Sequence, residues 1–244
     1  MTIKIGNSKY GTETLEVISQ ARKFNRWMFE TIKPHCSGKI LEIGSGIGNI
    51  SEFFIDGGFD INLSDYENSY FPLLKKKFGD KANLGGINLM DFSDKDLVRK
   101  FPDMQGKFDT IFALNVLEHI EDHVQALDNA GKMLKKGGKV IILVPAFQSL
   151  YNSFDEQLEH FRRYTSKSLK AVLEAAGFDV VHSQYFNFMA IFGWFFSGKV
   201  LRKRIIPNNQ LRLFNALVPV WRVLDLFTSR FAGVSVIQVA VKNR

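Results

Sequence analysis

The spacing of apolar positions changes several times along the chain. Between residues 13 and 33, Leu15, Ile18, Ala21, Met28, Phe29 and Ile32 recur near helical spacing, which predicts one helix there. Pro34 and Gly38 then punctuate the chain. From Lys39 onward, short apolar runs alternate with amphipathic ones. "KILEIG", "FDINLSD", the weaker "NLGGINLM", "FDTIFALNV" and "KVIILVPA" read as strands. Between them, "NISEFFIDGG", "YFPLLKKKFG", "KDLVRKF" and "HVQALDNAGKMLKKGG" read as helices. The last of these is expected to close on Lys135, Lys136 and the pair Gly137-Gly138. The near-continuous apolar run of "KVIILVPA" suits a strand covered on both faces. Alternation of this kind predicts a parallel sheet with helices on both sides. A ligand then sits beyond the carboxyl ends of the strands, where the strand order reverses.

Beyond Phe147 the pattern loosens. "SLYNSFDEQLEHFRRYT" is polar and aromatic, without a clear period. "SKSLKAVLEAAGF" predicts a helix starting near Ser166 or Ser168 and stopped by Gly177. "FDVVHSQYF" and the final "VSVIQVAVK" read as strands. "NFMAIFGWFFSGKVLRKRI" and "NNQLRLFNALVPVWRVLDLF" look helical.

Length and composition narrow this picture only slightly. At 244 residues the chain predicts a single domain over 1–244. Within it we expect an N-terminal helical segment over 1–38, a ligand-binding core over 39–146 and substrate-side elements over 147–244. The last part carries a helical lid or insertion over 187–230 and a closing strand over 234–242. The one cysteine, Cys36, excludes an internal disulfide framework and a Cys-based zinc cluster, in keeping with a reducing cytoplasm. "MTIKIGNSKYGTETLE" has no apolar signal-peptide core. A net charge of +7 can attract nucleic acid, anionic lipid or a phosphorylated substrate, or can serve solubility alone. The basic residues are scattered and no RNA-binding module is recognisable, so nucleic acid is the least favoured partner.

The candidate chemistry begins at "LEIGSGIGN". Gly44, Gly46 and Gly48 follow a strand and precede a helix, where glycines allow positive φ and close approach to main chain. A tight strand-to-helix turn alone would also use them. Two acids add weight to a ligand. Asp65 ends the second strand, where it can accept hydrogen bonds from a ribose diol. Glu42 lies inside the first strand, where a carboxylate is costly to bury without a cationic ligand or a ring of donors. The G-x-G-x-G spacing differs from the dinucleotide fingerprint G-x-G-x-x-G.

On these residues the chain resembles the class I S-adenosylmethionine-dependent methyltransferases. "LEIGSGIGN" resembles their first motif, "FDTIFALNVLEHIED" is similar to the fourth-strand motif, and "LKKGGKVIILVPA" to the helix and fifth strand. The resemblance spans about residues 20–185. It implies a doubly wound, Rossmann-like α/β fold with a seven-stranded, mostly parallel sheet, helices on both faces and the last strand antiparallel. It also implies S-adenosyl-L-methionine as cofactor, held by Glu42, Gly44, Ser45, Gly46, Gly48, Asn49, Asp65, Tyr66, Asn88, Leu89, Asn115 and Val116. In "INLMDF" the adenine-side acid of the family aligns with Asn88, with Asp91 as the competing choice. "DEQLEHFRRYTSKSLKAVLEAAGF" is similar to a segment of methyltransferases from bacterial small-molecule and cell-envelope pathways.

Methyl transfer from a sulfonium needs alignment more than proton chemistry, and alignment can supply about 7–11 kcal/mol of the barrier. A general base helps where the nucleophile must lose a proton. His119, just after the fourth strand beside Asn115 and Glu118, is one candidate; it can also be a packing residue at a helix start. His160 is the other. With Tyr151, Arg162, Arg163 and Tyr164 it forms the candidate acceptor-binding cluster, since an arginine fork suits carboxylate or phosphate. The bland alternative makes both arginines solvated surface charges. His35, His123 and His182 read as structural. Asp155, Glu156, Glu159 and His160 lack convincing ligand spacing, so no metal is expected.

The remaining stretch is aromatic. Phe186 to Gly198 is too short for a span of ~20 residues, so it is not expected to cross a membrane. Phe188, Ile191, Phe192 and Phe195 share a face, and Lys199, Arg202, Lys203 and Arg204 follow directly. Such a stretch can lie in a membrane interface, here over 186–206, or pack over the active site as a lid. The two are compatible if the acceptor is lipid-linked. The expected activity is methyl transfer to a small-molecule or lipid-linked acceptor, to oxygen first and to nitrogen or carbon second, in the cytoplasm or at the inner face of the membrane. The alternatives are a non-catalytic cofactor-binding regulator or scaffold, and an RNA methyltransferase. The oligomeric state is not legible.

Overall fold

The structure, a computed structural model, describes residues 8–203 and 208–243. In chain order the elements are α1 (Ser8–Ser19), α2 (Arg22–Ile32), β1 (Ile40–Ile43), α3 (Ser51–Asp56), β2 (Ile61–Asp65), α4 (Phe71–Phe78), β3 (Leu84–Leu89), α5 (Leu97–Lys100) and β4 (Phe108–Leu114). They continue with α6 (His123–Met133), β5 (Leu134–Pro145), α7 (Ser153–Gln157), α8 (Ser166–Ala175), β6 (Phe178–Phe186), α9 (Ala190–Trp194), a π-helical turn over Phe195–Val200, α10 (Asn208–Thr228) and β7 (Ser235–Lys242).

The seven strands form one sheet in the order β3-β2-β1-β4-β5-β7-β6. The pairs from β3 to β5 are parallel, and β7 lies antiparallel between β5 and β6. The chain winds outward from β1 to β3, then returns to place β4 on the other side of β1. The order therefore reverses between β1 and β4, and the crevice for a ligand opens at their carboxyl ends.

Alternate strand residues feed two separate cores. Leu41, Ile43, Ile111, Ile142 and Val144 pack with α6 and α8 on one face. Ile40, Phe112, Ile141, Leu143 and Ile237 pack with α2, α3 and α10 on the other. Burial on both sides is why these strands read as unbroken apolar runs. Phe112 stacks on Phe54, which meets Phe29 edge-on, and truncating such a ring costs about 3–5 kcal/mol.

Two boundaries differ from the sequence expectation. The helix expected over 13–33 is two helices: Ala21 leaves helical geometry (ψ 55°) and is buried, and the Ile18 carbonyl accepts from both Ala21 N–H (2.9 Å) and Asn25 Nδ2 (3.0 Å). Helix α6 stops at Met133, before the lysines and glycines. There Gly106 N–H and Lys107 N–H, entering β4, capture the carbonyls of Lys132 and Met133, and Leu134 already pairs with Phe108. Helix α8 starts at Ser166, as the sequence expectation allowed, with Thr165 as its cap and Ser168 completing a capping box.

Candidate active site

The turn after β1 is held by main chain. The N–H groups of Gly44 and Ser45 both donate to the Ser64 carbonyl of β2 (2.8 and 3.0 Å), and Gly46 N–H donates to Asp65 Oδ2 (2.8 Å). Gly44 has φ +73° and a Cβ there would overlap Val116, so a side chain is excluded by both strain and space. Gly48 (φ +81°) serves packing instead: its Cβ would lie 2.5 Å from the Phe78 ring. The glycine turn thus seats helix α3 against α4 at one end and leaves open backbone at the other.

A cavity of about 1030 Å³ opens from this turn. Drug-sized pockets run to ~1,000 Å³, so there is room for a cofactor and an acceptor together. Of the residues expected to hold the cofactor, Glu42, Gly44, Ser45, Gly46, Asn49, Asp65, Tyr66, Asn115 and Val116 all border it. Asp65 is buried and also accepts from Glu67 N–H (2.9 Å); burial pushes its carboxyl up, with the backbone donors pulling the other way. Glu42 is buried and accepts from the Ser51 hydroxyl. Burial raises its pKa to about 7, and the Ser51 and Ser45 hydroxyls offset part of that. Its ring of donors is thus at least partly supplied by the protein. Asn115 takes a positive φ of 54°, turning the chain sharply off β4 beneath the cavity.

Gly48, Asn88 and Leu89 do not border the cavity. Asn88 Nδ2 instead donates to the Leu63 carbonyl (3.2 Å), and Leu89 is half-exposed. Its wall there is made by Met90, Asp91 and Phe92, so the competing acid, Asp91, is the one that faces the ligand space. Strand β3 ends at Leu89, and the chain turns in only after it. Tyr70, not singled out in the sequence, also lines this end.

The other end of the cavity, where the sequence places the candidate acceptor cluster, is assembled from two loops. The loop after β4 brings Glu118 and His119. The segment after β5 brings Asp155, His160 and Arg163, and runs as an extended piece beside the end of β5, bonded through Tyr164 and Phe147. Asp155 is fully buried and organises this end. Its Oδ1 accepts from His160 Nδ1 (2.8 Å) and Arg163 Nε (2.8 Å), and its Oδ2 from Asn152 N–H (3.0 Å) and Trp194 Nε1 (3.4 Å). Burial alone would raise the Asp155 carboxyl, but the His160 and Arg163 bonds outweigh it and its pKa is lowered. The imidazoles of His119 and His160 meet edge to face at 4.6 Å. Burial holds His119 down to about 3, helped by His160, so it is neutral at pH 7. Glu118 is fully buried, and neither of its carboxylate oxygens has a hydrogen-bond partner.

The rest of the expected acceptor cluster is structural. Arg163 borders the cavity but is neither solvated nor free for an anion: it is spent on Asp155, on the Ala146 carbonyl (3.0 Å) and on the face of Trp194. Arg162 does not reach the cavity; it clamps the post-β4 loop through the Ile120 and Glu121 carbonyls and His123 Nδ1 (2.6 Å). Tyr151 donates to the His160 carbonyl (2.8 Å), and Tyr164 is buried against His123. His123, read as structural in the sequence, borders the cavity; His35 and His182 stack on each other away from it. The structural role of Asp155 went unseen because its partners lie up to 39 residues away.

Elements α9, the π-helical turn and α10 cover the cavity. Trp194, Ser197, Leu211, Phe214, Leu217 and Trp221 face it. Asp225 anchors the cover by accepting from the N–H groups of Asn187 and Phe188 (2.6 and 2.8 Å). The outer side of α10 exposes Val220, Val223 and Phe227, an apolar stripe at helical spacing, with Phe227 72% exposed. Arg204 to Ile206 of the expected membrane stretch lie outside the described residues. Among the described residues, no helix is long and apolar enough to cross a membrane.

Comparison with known proteins agrees with this geometry. A family model described as a methyltransferase domain matches residues 17–183. The mitochondrial methyltransferase OMS1 of Saccharomyces cerevisiae is 32% identical over 134 residues, 50% of this chain and 27% of that protein. The ubiquinone/menaquinone biosynthesis C-methyltransferase UbiE of Shewanella halifaxensis is 24% identical over 190 residues, 66% of this chain and 74% of its own. A lovastatin diketide synthase of Aspergillus terreus matches over 117 residues at 31% identity, and the chain spans only 4% of its length. Among solved structures, a Haemonchus contortus phosphoethanolamine N-methyltransferase in complex with S-adenosyl-L-methionine superposes with a TM-score of 0.57 at 18% identity, covering 90% of this chain and 52% of that one. A SAM-dependent methyltransferase from Archaeoglobus fulgidus gives 0.57 at 16%, covering 89% and 94%. The glycine turn, Asp65 and the strand order fit the cofactor these proteins share, and the chain belongs to the class I S-adenosylmethionine-dependent methyltransferases.

Proposed function

We propose that this methyltransferase acts on an oxygen of a lipid-linked acceptor, taken up at the inner face of a membrane. The observation that carries the reading is the cover. Its inner side walls the acceptor end with Trp194, Phe214, Leu217 and Trp221, while the outer side of α10 presents an apolar stripe to its surroundings. Lys199 lies in the π-helical turn after α9, and Arg202 and Lys203 follow that turn, a charge pattern suited to anionic headgroups. An acceptor with a long apolar part would match both sides.

Asp65, Tyr66 and the glycine turn are the groups that would hold the cofactor's ribose and amino-acid part, and Asp91 and Phe92 are placed for the base. S-adenosylmethionine, when bound, supplies a methyl group already activated on a sulfonium. The chain's own contribution is to hold the acceptor in line and to exclude water with the aromatic cover. A hydroxyl acceptor must also lose its proton. His160 is oriented by Asp155 through Nδ1 and lies against the neutral His119, with Glu118 beside them. UbiE carries a carbon acceptor in its name; the proton-accepting groups at this end favour a hydroxyl here.

The test is transfer of labelled methyl from S-adenosylmethionine into a host membrane extract, split into organic and aqueous phases. Label in the organic phase, released as an O-methyl product, is expected. Label confined to aqueous small molecules would overturn the lipid-linked acceptor, and no label in either phase would overturn transfer altogether.

A further inference from the structure

We infer that Glu118, His119 and His160 form a binding site for a divalent transition-metal ion at the acceptor end of the cavity. One ligand atom from each lies within 4.8 Å of the others. Ligands around one such ion, each about 2.0–2.2 Å from it, stand about 3–4 Å apart, so closing onto it asks each side chain to move by less than ~1 Å. The site joins two loops, after β4 and after β5, which is why no spacing in the sequence announces it.

Two independent features point to a cation there. The first is Glu118 itself. It is fully buried and neither carboxylate oxygen has a hydrogen-bond partner, an arrangement that is costly unless the group takes up a proton or a cation arrives. The nearby Arg163 makes no hydrogen bond to it, because its guanidinium is bonded to Asp155 and to the Ala146 carbonyl. The second is the support behind the imidazoles. His160 donates through Nδ1 to the buried carboxylate of Asp155, and the His119 ring packs edge to face against that of His160. Metal-binding histidines are held in this way through the ring nitrogen that does not touch the metal, which leaves the other nitrogen fixed and basic. Two imidazoles and one carboxylate suit zinc, iron(II), cobalt(II) or manganese(II), and three protein ligands leave at least one position open. All three residues border the cavity, so that position can take an oxygen of the acceptor. This assignment of the open position rests on the proposed reading of this end as the acceptor side; ion binding does not.

The test uses the full chain stripped with a chelator and titrated with Co²⁺, followed by its visible absorption, and with Zn²⁺ by calorimetry. No cofactor or acceptor is present, so failure of methyl transfer and failure of the ion site are read separately. One tightly bound ion per chain, with the d–d bands of a His-containing site, is expected. Glu118→Gln should weaken it by at least ~10–100-fold, the range seen even for groups behind the ligands. S-adenosylhomocysteine binding, measured on the same sample, should be kept in Glu118→Gln, which shows that the variant is folded. Absence of ion binding, or binding indifferent to Glu118→Gln and His160→Ala in chains that still bind S-adenosylhomocysteine, would overturn the site.

Discussion

The two ends of the cavity are built differently. The cofactor end is made by contiguous sequence: β1, its glycine turn and the end of β2 bring Glu42, Gly44, Gly46 and Asp65 together through main-chain bonds. The acceptor end is made by distant pieces. One buried carboxylate, Asp155, gathers His160, Arg163 and Trp194, and a separate helical cover closes over them. A site formed by backbone within one β–α–β unit tolerates little change. A site formed by side chains from loops and an insertion can be rebuilt for a new acceptor without disturbing the first.

This contrast makes predictions of decreasing size. Asp155→Asn should have the largest effect, because it leaves Arg163 buried beside a neutral partner: breaking such pairs costs about 3–5 kcal/mol. Urea unfolding should register that loss, and a change below ~1 kcal/mol would mean that Asp155 does not organise the acceptor end. Gly48→Ala comes next. Its left-handed φ costs about 1–2 kcal/mol and contact with Phe78 adds to it, so stability should fall by ~2–3 kcal/mol. Unchanged thermal unfolding would remove Gly48 from the packing of α3 on α4.

The third prediction concerns pH. Buried Glu42 keeps its proton up to about pH 7, whereas the unfolded chain releases it near the ordinary 4.5. Between those values the native state binds more protons, so this group's contribution is full below 4.5 and is lost as pH rises toward 7. Glu42→Gln should therefore lose less stability than wild type between pH 4.5 and pH 8 in paired urea titrations. Equal losses in both proteins would contradict the raised carboxyl. The smallest effect on stability belongs to the outer stripe. Phe227→Ser should change unfolding by no more than ~0.5 kcal/mol. It should nevertheless reduce co-sedimentation with anionic vesicles at low salt, and a wild-type chain that stays in the supernatant would remove membrane contact from the account.

The same contrast governs what could be read from the sequence. Strand positions were legible because short apolar runs between amphipathic ones are local signals, whereas the antiparallel seventh strand was legible only through the family resemblance that the glycine turn carries. Helix ends were less so. The carbonyls at the end of α6 are taken by residues 106 and 107, and the break at Ala21 is stabilised by Asn25, neither of which shows in periodicity. Of the two choices in "INLMDF", Asp91 borders the cavity and Asn88 does not, because where β3 yields to the cavity wall depends on its pairing with β2. At the acceptor end, residue types were informative and roles were not. Arg162 and Arg163 look like anion anchors in sequence, yet both are satisfied by the protein itself, and Glu118 stands out only once its burial is known.

The most direct measurement is calorimetric titration of S-adenosylhomocysteine into wild type, Asp65→Ala and His160→Ala. Asp65 carries charge-assisted bonds at the cofactor end, so its loss should weaken binding by about 1.5–3 kcal/mol, roughly 10–150-fold. His160→Ala should bind within about threefold of wild type, since it belongs to the other end. Equal weakening in both variants, or none in Asp65→Ala, would contradict a cavity divided between cofactor and acceptor.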